Sequence, residues 1–376
     1  MNDCVVIGGG AVGLSIAYEL SRHDWQVQLV ERNQCGQEAS WAGAGILPAT
    51  SDKPGSGAYQ RLAQVSAELH ARWADELRNE TGIDTGYRRC GELYLEEEEI
   101  PGEPLSRSRL ALESRGVPVE LMDRPRIGQI EPNLAVTEEE IANRAVYYTP
   151  GSAQIRNPRY LQSLKEACRQ RGVQIIEGAE VLGFDCQSET IRSVQTTAGN
   201  FSAAHFCLAA GAWTSPLAAM LGFTLPVKPI RGQMVLLRGD QRVIERIIHQ
   251  GSHYLVPRED GRVLVGSTLE DVGFERKTTL SAIGALLRFA QNRVPALALT
   301  EVERCWAGFR PASPDGFPYI GAIPGFMNGW VAAGHYRWGL FLSPATAALI
   351  RELMQGETPT VAHDDFRIAR TAAAVG

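Results

Sequence analysis

Near its N-terminus the chain reads Gly8-Gly9-Gly10-Ala11-Val12-Gly13, with the apolar run 3–7 before it. Residues 11–23 follow with Val12, Ile16 and Leu20 on one helical face, and residues 26–31 alternate as a strand that ends in Glu31. Strand, glycine turn, helix and second strand within about 30 residues form a βαβ unit of parallel strands. Gly8 permits the tight turn, Gly10 lets the backbone approach a pyrophosphate, and Gly13 lets helix and strand pack closely. The helix N-terminus at Ala11 and Val12 offers free N–H groups and a positive dipole end to phosphates. Glu31, followed by Arg32, is placed to accept the hydroxyls of an adenosine ribose. The unit is built for a dinucleotide and, taken alone, suits FAD or NAD.

The chain has 376 residues, enough for two domains. Its 37 Lys+Arg against 43 Asp+Glu give a net charge of −6, which does not favour phosphate backbones, so no nucleic-acid partner is expected. The seven cysteines, Cys4, Cys35, Cys90, Cys168, Cys186, Cys207 and Cys305, are odd in number and form no CxxC pair. A metal site is therefore not expected, and reduced thiols in a cytoplasmic protein are. No uninterrupted apolar stretch of about 18 residues predicts a membrane span, and Met-Asn-Asp carries no positive charge, so no signal peptide is expected.

Further along, residues 36–50 are small and read as a loop against a ligand or a packed helix start. Helices are predicted at 59–81, 105–116, 158–171, 279–293 and from Pro344 to Met354; the acidic run Glu96–Glu99 reads as a solvated loop. Strands are predicted at 143–150, 173–177, 230–237, 252–257 and 262–268, with 191–197 and 201–208 as a hairpin. The expected fold class is α/β plus β: a discontinuous Rossmann-like dinucleotide domain of residues 1–88, 151–222 and 303–376, and an antiparallel-sheet substrate domain of 89–150 and 223–302.

Two further segments favour FAD over NAD. Leu208-Ala209-Ala210-Gly211-Ala212-Trp213 runs from a strand into a small-residue turn, like the second dinucleotide segment of two-dinucleotide-fold flavoproteins. The other is Gly308-Phe309-Arg310-Pro311, Pro314-Asp315-Gly316 and Ile320-Gly321, followed by Gly334-His335-Tyr336-Arg337-Trp338-Gly339. With the N-terminal fingerprint, Ala39-Ser40 and Ala44-Gly45-Ile46-Leu47, these motifs occur in one order across essentially the whole chain. In that order they resemble the D-amino-acid oxidase superfamily and, within it, the glycine oxidases of thiamine biosynthesis.

The resemblance implies oxidative deamination of glycine or another small amino acid or amine: hydride to flavin N5, an imine product, and H2O2 from O2. It implies non-covalent FAD contacts at Ala11, Val12, Glu31, Arg32, Ala39, Ser40, Ala44, Gly45, Ile46 and Val181, and along His335, Tyr336, Arg337, Trp338, Gly339, Leu340 and Phe341. It places the substrate carboxylate on Arg310 and the Tyr254 hydroxyl, and the substrate amine on the main chain of Arg337. Physically, Arg310 suits bidentate carboxylate capture; the plain alternative is an ion pair with Asp315. The plain alternative for Tyr254 is a half-buried strand tyrosine. No histidine is expected as general base, because positioning does most of the work. Gly308 stands where sarcosine oxidases attach flavin to a cysteine, and Cys305 lies three residues earlier. Ser252, Leu269, Ile46 and Trp338 depart from the family's usual residues at or near the pocket, so they bear on substrate choice. The expected partners are a small amino-acid or amine substrate, O2 and further copies of the chain, as a homo-oligomer. The rival activities are a dehydrogenase of the same fold, a sarcosine-oxidase-like enzyme and a non-catalytic FAD sensor.

Overall fold

The computed structural model describes residues 2–49, 57–96, 112–113, 116–143 and 145–371. Most of the helix expected at 105–116, all but residues 112–113 and 116, and most of the Glu96–Glu99 run lie outside the described residues.

The N-terminal unit forms as its periodicity dictates. Strand Asn2–Ile7, helix Ala11–Arg22 and strand Val27–Glu31 follow one another, the two strands pairing in parallel from Cys4–Val27 to Ile7–Val30. They lie in a six-stranded sheet whose order is Tyr319–Ala322, Gly329–Ala333, Ala203–Leu208, Asn2–Ile7, Val27–Glu31 and Gln174–Glu177. The Tyr319–Ala322 edge strand is antiparallel to its neighbour. Helices Ala11–Arg22, Gly57–Thr81, Asn157–Gln170 and Gly339–Met354 cover one face, burying Leu14, Ile16, Leu62, Trp73, Leu164 and Leu342. On the other face a three-stranded sheet, Val181–Gln187, Thr190–Thr196 and Gly199–Phe201, packs with the short helix Thr214–Met220. The predicted hairpin differs here. Residues Thr190–Thr196 pair with Gly199–Phe201 and Val181–Gln187, whereas Ala203–Leu208 leaves to pair in parallel with Asn2–Ile7. Phe206, Cys207 and Leu208 are fully buried, as a central parallel strand requires.

The second sheet has eight strands, in the order Glu301–Ala312, Lys228–Arg238, Arg262–Gly266, His253–Pro257, Ile247–Gln250, Glu92–Leu95, Val146–Thr149 and Glu120–Leu121. Helix Leu280–Arg293, capped by the Thr279 hydroxyl on Ala282 N–H, packs on it through Leu286 and Ala290. The strand Glu301–Ala312 runs unbroken across the 302/303 boundary drawn from sequence and pairs along its length with Lys228–Arg238. A small three-stranded sheet, Ile46–Leu47, Ala153–Gln154 and Arg88–Arg89, joins the two halves.

The C-terminal helix begins at Gly339, five residues before the expected Pro344, which sits inside it. Proline lacks the N–H that would close on Leu340 O. Ser343 Oγ supplies that bond at 2.9 Å, and His70 Nε2 approaches the same oxygen at 3.2 Å and Phe341 O at 2.9 Å. His70 is buried, and desolvation, only partly offset by the two carbonyls, lowers its pKa from the usual 6.5 to about 4. His335, also buried and beside Thr346 Oγ1 at 3.0 Å, is lowered by desolvation to about 3.

Both imidazoles are therefore neutral in the fold at pH 7. As pH falls below about 6.5, the unfolded chain takes protons that the native state refuses, so stability falls with falling pH. For His70 alone this costs on the order of 1–2 kcal/mol by pH 5. Thermal melts of wild type and His70→Gln at pH 7 and pH 5 check it: the loss of Tm on acidification should be smaller in the variant. Equal losses would show that His70 is not an acid-labile contact.

Candidate active site

A single cavity of about 930 Å³ runs from the C-terminal edge of the six-stranded sheet to the face of the eight-stranded one. Glu31, Arg32 and Val181 line one end; Gly8, Gly10, Ala11, Val12, Ala39 and Ser40 line the middle. Ala44, Gly45, Ile46, Tyr254, Arg310 and His335 to Phe341 line the other. Gly13 is not on the wall. It lies against the turn, where a Cβ would come within 1.9 Å of Gly8 O, so only glycine lets the helix start this close to the strand. The Ala11 N–H donates to Ser40 Oγ at 2.8 Å, and the Ser40 carbonyl is held by Asn157 Nδ2 at 2.6 Å. That pair of bonds fixes the Ala39–Ala42 turn against the helix start, which is why residues 36–49 are not a free loop.

The wall fits FAD. Glu31 Oε2 accepts Gly9 N–H at 2.7 Å and Oε1 accepts Asn33 N–H at 2.9 Å, so the carboxylate is fixed at the strand end with lone pairs to spare for a ribose. The Arg32 guanidinium lies 3.8 Å from the Trp213 ring centroid and 3.2 Å from Glu38. Trp213 was not singled out as a site residue, although it ends the 208–213 motif. At the far end, residues Gly339, Leu340 and Phe341 form the first turn of a helix rather than a loop, which brings a helix N-terminus to the wall. None of the seven cysteines lines the cavity, and all seven are free. Gly308 does line it, with space on its side for no more than Ala42, whose Cβ a side chain there would meet at 2.4 Å.

Arg310 extends from strand Glu301–Ala312. Its Nη1 donates to Thr268 O at 3.0 Å and its Nη2 to Ser267 Oγ at 2.7 Å. Asp315 is not its partner: that carboxylate binds Arg370 Nε at 2.9 Å. Among the described residues no carboxylate pairs with Arg310. Tyr254 reaches the same region from strand His253–Pro257, and among the described residues its hydroxyl finds only the weak acceptor Met234 Sδ, at 3.3 Å. Two glycines that sequence reading missed make room for this pair. A Cβ at Gly232 would meet Arg310 Nη1 at 2.2 Å, and one at Gly266 would meet Met234 Sδ and the Tyr254 ring at 2.5 Å. The Arg337 side chain is exposed and lies over Tyr336, which adopts φ 52°, so what Arg337 offers the cavity is its backbone. Of the departures noted above, Ser252, Ile46 and Trp338 line the cavity; Leu269 is 42% exposed and does not. Glu92, fully buried, is bound by Tyr94 Oη at 2.7 Å and His249 Nδ1 at 2.9 Å on the same wall, a group no sequence signal marked.

A family model described as FAD dependent oxidoreductase matches residues 3–353. A glycine oxidase of Pseudomonas aeruginosa is 36% identical over 359 residues, covering 95% of this chain and 96% of that protein. A bifunctional ThiO/ThiG protein of Nostoc sp. is 34% identical over 96% of this chain and 54% of its own length. The crystal structure of glycine oxidase from Geobacillus kaustophilus superposes with a TM-score of 0.92 at 32% identity, covering 98% of each chain. Among the described residues no helix is long and apolar enough to cross a membrane, and no cluster of His, Cys, Asp and Glu could hold a metal ion.

Substituting Gly232 by alanine should displace the Arg310 guanidinium without touching the dinucleotide end. We expect KM for the amino acid to rise at least ~10-fold, the loss of one charge-assisted contact of roughly 1.5 kcal/mol or more, with FAD content unchanged. Steady-state kinetics beside the flavin-to-protein absorbance ratio would show it. A KM like wild type would mean that the guanidinium finds its place despite the methyl.

Proposed function

The chain belongs to the FAD dependent oxidoreductase family, and we propose that it is an FAD-dependent oxidase of glycine or another small amino acid or amine. One observation carries the substrate class: a guanidinium on the cavity wall, braced by a hydroxyl and a carbonyl, with no carboxylate of its own among the described residues. Such a group binds a substrate carboxylate through parallel charge-assisted bonds. Bound FAD would supply the acceptor for the hydride of the amine carbon, which carries both electrons of the oxidation, with O2 as the final oxidant, reduced to H2O2.

The protein's own residues bind, orient and exclude water. Arg310 and the Tyr254 hydroxyl hold the carboxylate, and the main chain at Arg337 faces the amine. His335 stays neutral in its buried position and serves the wall rather than proton transfer. Gly8, Gly10, Ala11, Val12 and Ser40 hold the diphosphate, Glu31 the ribose and Val181 the adenine. The Ala44–Ile46 and His335–Phe341 segments hold the ring system, and the absence of a cysteine on the wall favours a non-covalent link. We assign the product imine to thiamine biosynthesis, the discontinuous 1–88, 151–222 and 303–376 division to the FAD domain, and the chain to a cytoplasmic homo-oligomer; seven free cysteines support a reducing location.

Arg310→Met removes the fork and keeps much of the stem. It should lower kcat/KM for amino acids at least ~10-fold, because a charge-assisted bond is worth roughly 1.5–3 kcal/mol. An amine without a carboxylate should lose much less. Equal losses for both would place Arg310 in the fold or the flavin site instead. Separately, Glu31→Ala should shed FAD on dialysis while leaving the order of substrate preference intact; a variant that keeps all its FAD would remove Glu31 from the ribose.

A further inference from the structure

Behind the Ala44–Ile46 wall lies a second arginine, Arg258, at the end of strand His253–Pro257 and only 6% exposed. Its Nη1 donates to Gln154 Oε1 at 2.7 Å and Ile155 O at 3.1 Å, and its Nη2 to Ala44 O at 2.7 Å. All three acceptors are neutral. Among the described residues no carboxylate pairs with Arg258: Asp260, two positions on, is held by Arg156 at 2.6 Å and Arg262 at 3.0 Å. Burial, and after it the Arg156 charge, pushes the Arg258 pKa down to about 9, which still leaves it cationic at neutral pH. The neighbouring Cys90 thiol is raised by burial and gives no counter-charge.

Burying a cation without an anion is costly. Packing alone does not call for one here, since the acceptors it satisfies are two backbone carbonyls and an amide. What distinguishes the place is its neighbour. Ala44, Gly45 and Ile46 line the cavity at the Arg310 and Tyr254 end, and Arg258 touches that segment without reaching the cavity itself. A charge one residue behind a water-excluded wall is poorly screened.

We propose that Arg258 is a positioning residue whose buried charge, held against the Ala44 carbonyl, favours negative charge on the bound flavin and so eases its reduction. It adds a formal charge to the helix N-terminus at Gly339, from a different part of the chain. The inference rests on the FAD site of the proposed function but not on which amine is oxidised.

Sulfite tests it on the holoenzyme without any substrate. Its sulfur lone pair forms a bond to the oxidised ring, the ring retains the negative charge, and the visible band bleaches. Sulfite Kd should rise at least ~10-fold in Arg258→Met, a change of about 1.4 kcal/mol, with the FAD-to-protein ratio unchanged. Arg258→Lys, which keeps the charge and loses the fork, should stay within about threefold of wild type. Gln154→Glu leaves Arg258 in place and sets a carboxylate against it; it should weaken sulfite binding as Arg258→Met does, and it decides the matter if Arg258→Met does not fold. Wild-type sulfite affinity in Gln154→Glu or Arg258→Met would overturn the proposal. So would a lysine variant as weak as the methionine one, since fork geometry rather than charge would then be responsible. A purified protein that takes up no FAD would sink the cofactor reading and the inference together, whereas failure to oxidise amino acids with normal sulfite binding would sink only the substrate.

Discussion

Everything in this molecule hangs on how closely the first helix starts to the first strand. The space for a side chain at Gly13 is occupied by Gly8 O, and that at Gly8 by Ala209 O at 2.5 Å. With both positions bare, strand, helix and the Ala203–Leu208 strand end meet at one point, and the helix N-terminus opens into the cavity. The Ala39–Ala42 turn is tied to that point through Ser40, and Glu31 through Gly9. A bulkier residue at Gly13 would push the helix away and misplace all of these groups at once.

The other end of the cavity is assembled by a different device, the pairing of two long antiparallel strands. Lys228–Arg238 and Glu301–Ala312 run side by side, with Ile230 opposite Arg310 and Gly232 opposite Gly308. That register puts a bare position next to the guanidinium and another against Ala42, so a cation stands where a carboxylate can reach it. Strand Ile46–Leu47 is the link: its sheet partner Ala153–Gln154 meets Arg258 from the eight-stranded side. The six-stranded and eight-stranded halves thus share a wall rather than merely a boundary.

Much of this was legible in the chain. The 8–13 glycines, the Val12–Ile16–Leu20 face and the terminal Glu31 are local patterns, and local patterns fold as written. Arg310 was legible as a cation suited to a carboxylate, with Asp315 as the plain alternative, and of the two the structure removes Asp315, which pairs with Arg370. What stayed hidden depends on contacts far apart in sequence. Gly232 and Gly266 acquire meaning only from strand register. The strand Ala203–Leu208 looked like a hairpin arm because its nearest neighbour in sequence is a strand, but its both-sided burial suits the centre of a parallel sheet. The sequence points to Pro344 as the start of the last helix because proline favours a helix's first turn; in the fold it lies inside the helix, where Ser343 and the distant His70 satisfy the carbonyl it leaves open. Arg258 and Glu92 carry no motif at all.

The central claim is that one continuous cavity brings a flavin and an amino-acid carboxylate together for oxidation with O2 as the acceptor. The most direct measurement is to add glycine, and then other small amino acids and amines, to the yellow holoenzyme without oxygen and to follow its visible band. The account predicts that at least one of them bleaches the flavin, and that admitting air restores the colour with one H2O2 formed per flavin. A flavin that stays oxidised with every amino acid and amine tried would contradict it, and a bleached flavin that air does not recolour would replace O2 with another acceptor.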